Sequence, residues 1–233
     1  MPYRRLPNTD LARLRALRIA YEKGKELPPF KLAFSQSTLQ KLYSSLPSFE
    51  KAFLECRQSY NKQVNGSMEY RKHLYNLKLY MSHFVQVLNM AIARGDLKYT
   101  DRVFFGLSDD QKKVPAFTTE ANVLKWGEKL MEGEANRLYK GLTPVTNPTI
   151  ALIKVKYEDF LESYRFQKTL QTNLKRSQNK LNGLRRTADN IILSIWNEVE
   201  DFYKDQPEDL RRQKAKLYGV VYVYRKSEER RYS

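Results

Sequence analysis

The chain has 233 residues, 41% hydrophobic and 12% aromatic, enough to bury a core in one domain or two small ones. With a mean hydropathy of -0.68 it reads as soluble and folded, neither wholly disordered nor membrane-embedded. Forty-two Lys and Arg against 26 Asp and Glu leave a net charge of +16 and an isoelectric point near 9.8, so a polyanion is the first class of partner to consider.

The chain opens on Met1-Pro2-Tyr3-Arg4-Arg5 and reaches Arg13, Arg15 and Arg18 without the apolar run of about 7–15 residues that a secretory leader needs. Asn8 or Thr9 is placed to cap a first helix with Leu11, Leu14, Leu17 and Tyr21 on its apolar face, ending near Gly24 ahead of Pro28-Pro29. From Leu39 the apolar residues step alternately by three and four, through Leu42, Leu46, Phe49, Phe53, Cys56 and Tyr60, then Tyr70, Leu74, Leu77, Met81, Phe84, Leu88 and Ala91. That is the pattern of helices packed along their lengths, and only Gln63 and Ser67 are polar on the seam. Pro47 and Asn65-Gly66 lie inside it. Proline removes a helix hydrogen bond and glycine is a poor helix former, so a first long arm over about 36–93 is expected as consecutive, roughly collinear helices.

Lys98 to Pro115 reads as a connecting loop, with Asp101, Gly106 and Ser108-Asp109-Asp110 as turn formers. Thr118 or Thr119 caps a helix to about Tyr139 that packs through Val123, Leu124, Trp126, Leu130, Met131 and Leu138. The turn-forming cluster Pro144-Val145-Thr146-Asn147-Pro148 launches a second arm over about 149–204. Its seam runs from Ile150, Ile153, Tyr157 and Phe160 through Gln167, Gln171, Leu174, Gln178, Leu181 and Arg185 to Ala188, Ile192, Ile195, Val199 and Phe202. A helix of that length would extend about 80 Å, and only the first arm is long enough to pack along it. The tail changes character. Tyr218 to Tyr224 is β-branched and aromatic, a strand-like window over 218–224 whose partner is Phe30 to Phe34, Val103 to Phe105 or the same strand of another subunit, with Val103 to Phe105 favoured. The expected fold is all-α, an elongated antiparallel helical bundle or coiled coil with two long arms, shorter packing helices and a short C-terminal β-strand, in one domain over 1–233.

No phosphate-binding GxxxxGK[ST] or GxGxxG and no HExxH zinc motif is present, and neither His73 nor His83 follows a Glu by three residues as a di-iron bundle requires. The one cysteine, Cys56, excludes an internal disulfide, offers no zinc spacing and reads as core between Phe53 and Tyr60. Glu198, Glu200 and Asp201 point in different directions around Val199 and read as a solvated face. No cofactor, metal or catalytic residue is assigned.

The chief candidate site is a basic stripe. Seven basic residues and no Asp or Glu lie between 165 and 186, and Arg165, Lys168, Lys175, Arg176 and Arg186 share one face of the helix. That face either meets a row of phosphates or is solvated and offset by acidic residues of a neighbouring helix. The second candidate is the tail, where Tyr222 and Tyr224 alternate with Arg225, Lys226, Arg230 and Arg231, a mixture able to stack on bases. The alternative is that its tyrosines belong to a strand covering the bundle.

The segments Pro2-Tyr3-Arg4-Arg5-Leu6-Pro7, Lys125-Trp126-Gly127-Glu128, Asn147-Pro148, Ile195-Trp196-Asn197 and Tyr218-Gly219-Val220 resemble a family of all-helical bacterial proteins with no assigned activity. The resemblance implies a cytoplasmic helical protein and transfers no cofactor or catalytic residue. The residues themselves point to a non-enzymatic helical bundle that binds an anionic polymer, nucleic acid foremost. A structural or adaptor protein with a protein partner, and a peripheral module on anionic membrane, are the alternatives.

Overall fold

The computed structural model describes residues 3–107 and 113–223. It is all-helical apart from one pair of two-residue strands: β1 (Tyr3–Arg4), α1 (Asp10–Glu26), α2 (Gln36–Arg94), α3 (Glu120–Tyr139), α4 (Ile150–Phe202), α5 (Glu208–Lys216) and β2 (Tyr222–Val223), with 3-10 turns at Pro29–Lys31 and Tyr99–Phe105. No helix among the described residues is long and apolar enough to cross a membrane. The chain divides into two compact units, one built from the described residues up to Tyr60 and from Asn173 onward, the other from Asn61 to Thr172. The long helices α2 and α4 contribute to both.

In the first unit, Thr9 caps α1 by accepting the Ala12 amide at 3.2 Å. The helix continues through Gly24 to Glu26 and stops because Leu27 precedes Pro28, which forces it into the extended conformation. Its buried face is Leu14, Ala16, Leu17 and Ala20, whereas Leu11 is exposed. They pack on Leu39, Leu42, Leu46, Phe49 and Ala52 of α2 and on Leu181, Ala188, Ile192, Ile195, Trp196 and Val199 of α4. Polar contacts set an antiparallel register. Thr38 bonds Glu198 at 2.6 Å, Glu55 pairs with Lys180 at 2.8 Å and Ser59 meets Ser177 at 3.0 Å.

Neither expected interruption breaks α2. Pro47 sits inside the helix on its exposed side, while buried Leu46 and Phe49 hold the turn in the core. Gly66, in the second unit, serves close approach. A Cβ there would lie 2.5 Å from the Leu170 methyl of α4.

The start of α2 is held from outside. Ser35 caps it by accepting the Thr38 amide at 3.3 Å, and Glu198 of α4 accepts from the Ser35 amide at 2.5 Å as well as from Thr38. Glu198 and Glu200 are therefore structural groups, not the solvated face expected. Glu200 accepts from Arg4 at 3.0 Å and from the Tyr222 hydroxyl at 2.6 Å. Of the three, only Asp201 is exposed.

The C-terminal strand also differs from expectation. Tyr218 is buried and Gly219 turns the chain at φ +86°, so the strand is confined to β2. It pairs within the chain, antiparallel to β1, with Tyr3 opposite Val223 and Arg4 opposite Tyr222. The favoured partner, Val103 to Phe105, instead lies in a 3-10 turn whose Phe105 is fully buried against Phe84 at 5.6 Å between ring centres. Helix α5 has no counterpart in the apolar spacing. Only Ala215 is buried in it, and its signals are Glu208 and Asp209 in the first turn against Lys214 and Lys216 in the last.

In the second unit, Leu77, Met81, Phe84 and Leu88 of α2 pack with Val123 and Leu130 of α3 and with Ile153 and Phe160 of α4. Thr119 caps α3 as expected, accepting the Asn122 amide at 3.2 Å. The residues expected to connect these helices by a loop enter the core through buried Asp101, Arg102 and Phe105. Arg137, fully buried on α3, donates to Glu134 at 2.7 Å, to Asp101 at 3.3 Å and to the Thr143 carbonyl at 3.1 Å. Glu134 in turn accepts the Val145 amide at 2.6 Å.

Two stability outcomes are expected. A Cβ on Gly133 would lie 2.6 Å from the Phe104 carbonyl oxygen, whereas one on Gly183 in α4 meets nothing within 4 Å. Urea denaturation should show Gly133→Ala destabilised by about 1–3 kcal/mol and Gly183→Ala stabilised by roughly 0.5–1 kcal/mol. The second outcome concerns pH. Burial alone would raise the Glu198 carboxyl, but hydrogen bonds from Thr38 and Ser35 outweigh it and hold the group below its ordinary value. The contribution is therefore full above the unfolded-state value of about 4.3 and fades as pH falls through the lower folded value. Glu198→Gln should lower stability by about 1–3 kcal/mol at pH 7, with the gap to wild type closing in strong acid.

Candidate polyanion-binding face

Helix α4 carries all seven basic residues of the stripe, and its neighbours divide them into two groups. Within the first unit, Arg185 forms a two-point contact with Asp10 of α1, at 2.7 and 2.6 Å, and Lys180 pairs with Glu55 of α2. The Asp10 hydrogen bonds raise the Arg185 guanidinium further above its ordinary value. Lys175, Arg176 and Arg186 are exposed and have no ion-pair partner among the described residues. At about 100° per residue these three point into one sector of the helix. The opposite side carries buried Leu181 and half-buried Leu174 and Leu184.

Within the second unit, Lys168 pairs with Glu120 of α3 at 3.1 Å and lies 5.0 Å from the centre of the Tyr164 ring. Tyr70 donates to the other oxygen of Glu120. This hydrogen bond, with Lys168 behind it, holds the Glu120 carboxyl below its ordinary value against the opposing effect of burial. Arg165 is exposed and unpaired among the described residues. Phe166, beside it in sequence, is also exposed. Lys168, Lys180 and Arg185 are offset by carboxylates of neighbouring helices; Arg165, Lys175, Arg176 and Arg186 are not.

The polar positions on the α4 seam divide similarly. Gln167 is buried with its carbonyl oxygen unpartnered, whereas Gln171 and Gln178 are exposed.

In the tail, Tyr222 is a strand residue whose hydroxyl is committed to Glu200. Burial first, and that hydrogen bond second, raise its phenol above the ordinary range. It is tied to the fold instead of being presented to a base. Tyr224, Arg225, Lys226, Arg230 and Arg231 lie outside the described residues.

Cys56 is half-buried against the core of the first unit, and burial, reinforced by Asp10, raises its thiol above the ordinary value. His83 is exposed. His73 lines a cavity of about 250 Å³ with Glu69, Asp159 and Glu162 in the second unit, but no group of three or more His, Cys, Asp or Glu among the described residues is arranged to hold a metal ion.

Comparison of the chain with protein-family models, curated proteins and solved structures finds no match.

The division of the stripe is open to direct measurement. Arg185→Gln, which removes a two-point contact to half-buried Asp10, should lower the unfolding free energy by about 1 kcal/mol. Lys175→Gln should stay within about 0.5 kcal/mol of wild type in the same urea titration.

Proposed function

We propose that this is a non-enzymatic protein that binds an anionic polymer, nucleic acid foremost, through the exposed cations of α4. The observation that carries the reading is the unpaired set Lys175, Arg176 and Arg186, which share one helix face in a stretch with no acidic residue. Arg165, on the same helix in the second unit, is a fourth cation left without a carboxylate. An extended row of positive charge on a regular helix suits a polymer with evenly spaced phosphates, because each neutralised phosphate releases a condensed counterion without requiring a shaped pocket. Such binding is insensitive to sequence and strongly dependent on salt. The proposal sets the protein in the cytoplasm, where a reducing environment keeps Cys56 a thiol.

The test is fluorescence anisotropy on a labelled 20-base-pair duplex and a 20-nucleotide single strand across a salt series. Lys175→Gln, Arg176→Gln and Arg186→Gln combined should weaken binding and flatten the log-log salt slope by roughly 2 to 3, about 0.7–0.9 for each phosphate no longer neutralised. Lys180→Gln, whose side chain is already committed to Glu55, should change little. Unchanged affinity in the folded triple variant removes nucleic acid from this face. Binding to anionic vesicles with none to either nucleic acid would replace the polymer by a membrane surface.

A further inference from the structure

The arginines of the N-terminal segment and α1 fall into two sets. Arg4 pairs with Glu200 at 3.0 Å, Arg13 with Asp189 at 2.7 Å and Arg18 with Glu50 at 2.5 Å. Arg5 and Arg15 are exposed and have no carboxylate partner among the described residues. These two, and none of the paired three, line a cavity of about 290 Å³ in the first unit.

The cavity follows from the way the chain ends are joined. Arg4 ends β1 and Arg5 follows it directly. Arg4 reaches Glu200, while the Arg5 amide bonds the Val221 carbonyl at 2.9 Å and its side chain borders the cavity. Arg15 comes from α1, as do Ala12, Ala16 and Ile19, and Trp196 of α4 completes the apolar lining. Two exposed guanidinium groups without a carboxylate partner thus border a largely apolar surface.

We propose that this cavity binds a small amphiphilic carboxylate, with its apolar body against Ala12, Ala16, Ile19 and Trp196 and its carboxylate held by Arg5 and Arg15. The planar guanidinium fork matches a carboxylate at two points, and an apolar recess with a few convergent polar groups is the usual form of a small-molecule site. The volume holds about ten water-sized atoms, which selects a medium-chain acyl or small aryl acid over a nucleotide. The site is concave and separate from the cation row on α4, so neither proposal rests on the other.

Isothermal titration of the full chain with octanoate, and with 1-octanol as the uncharged counterpart, tests it. Octanoate should bind at least about tenfold more tightly than octanol. Arg5→Gln and Arg15→Gln should each weaken octanoate by about tenfold while leaving octanol unchanged. Ala12→Leu should abolish binding of both by filling the cavity, and Arg18→Gln, on the same helix but paired with Glu50, should alter neither. Octanoate should shift the NMR signal of the Trp196 indole N–H and leave that of Trp126 in place. Equal binding of acid and alcohol, indifference to both arginine variants, no shift at Trp196 or no binding by wild type would each overturn the proposal.

Discussion

Both cores of this protein are built on one constraint, the alternating three- and four-residue spacing that puts an apolar seam along α2 and another along α4. Leu39 to Ala52 packs with Leu181 to Val199 in the first unit, and Tyr70 to Leu88 packs with Ile153 to Phe160 in the second. A heptad seam of this kind favours lengthwise packing but specifies register weakly, because a slip by one heptad sets apolar side chains against apolar side chains again. The polar contacts remove that degeneracy. Slipping α4 along α2 would detach Glu198 from Thr38 and Ser35, Lys180 from Glu55 and Ser177 from Ser59. In the second unit Gly66 admits the Leu170 side chain to where a Cβ would lie 2.5 Å from its methyl.

The second unit adds a different device. Arg137, Glu134 and Asp101 are buried together, and their hydrogen bonds tie α3 to the 99–105 turn and to the backbone at Thr143 and Val145. Desolvating these charges is costly, so the cluster is poor evidence for net stability. Its geometric effect is clear. The segments on either side of α3 are anchored at defined points to Arg137 and Glu134. The Arg137 guanidinium also lies 5.8 Å from the centre of the Phe105 ring, so the same group contacts the aromatic plug that fills the core beside Phe84.

The functional surfaces depend on where carboxylates fall. The net charge of +16 guarantees that many cations lack acidic partners, but it does not say which. Asp10 engages Arg185 and Arg13, Glu55 engages Lys180 and Glu120 engages Lys168. The cations passed over form the α4 face, and those passed over near the chain termini border the cavity beside Trp196. Both proposals therefore come from the same distinction between paired and unpaired basic groups.

Periodicity, capping residues and composition by themselves determined the helical class, the two long helices and most of their buried faces. Spacing along one helix dictates which side chains share a face whatever that helix meets. The same spacing extends to α3, where Val123, Gly127, Leu130, Glu134 and Arg137 step by four and three, which puts the two charged residues on its buried face. Continuity of α2 through Pro47 was not legible, because the local penalty of proline is offset by packing with residues far away in sequence. The β1–β2 pairing, the entry of Phe105 into the core and the role of Glu198 are contacts between segments tens to hundreds of residues apart, and no local pattern encodes the partner. Only the tertiary structure decided which arginines and lysines are neutralised, since ion pairing depends on distances across helices that spacing along one chain does not specify.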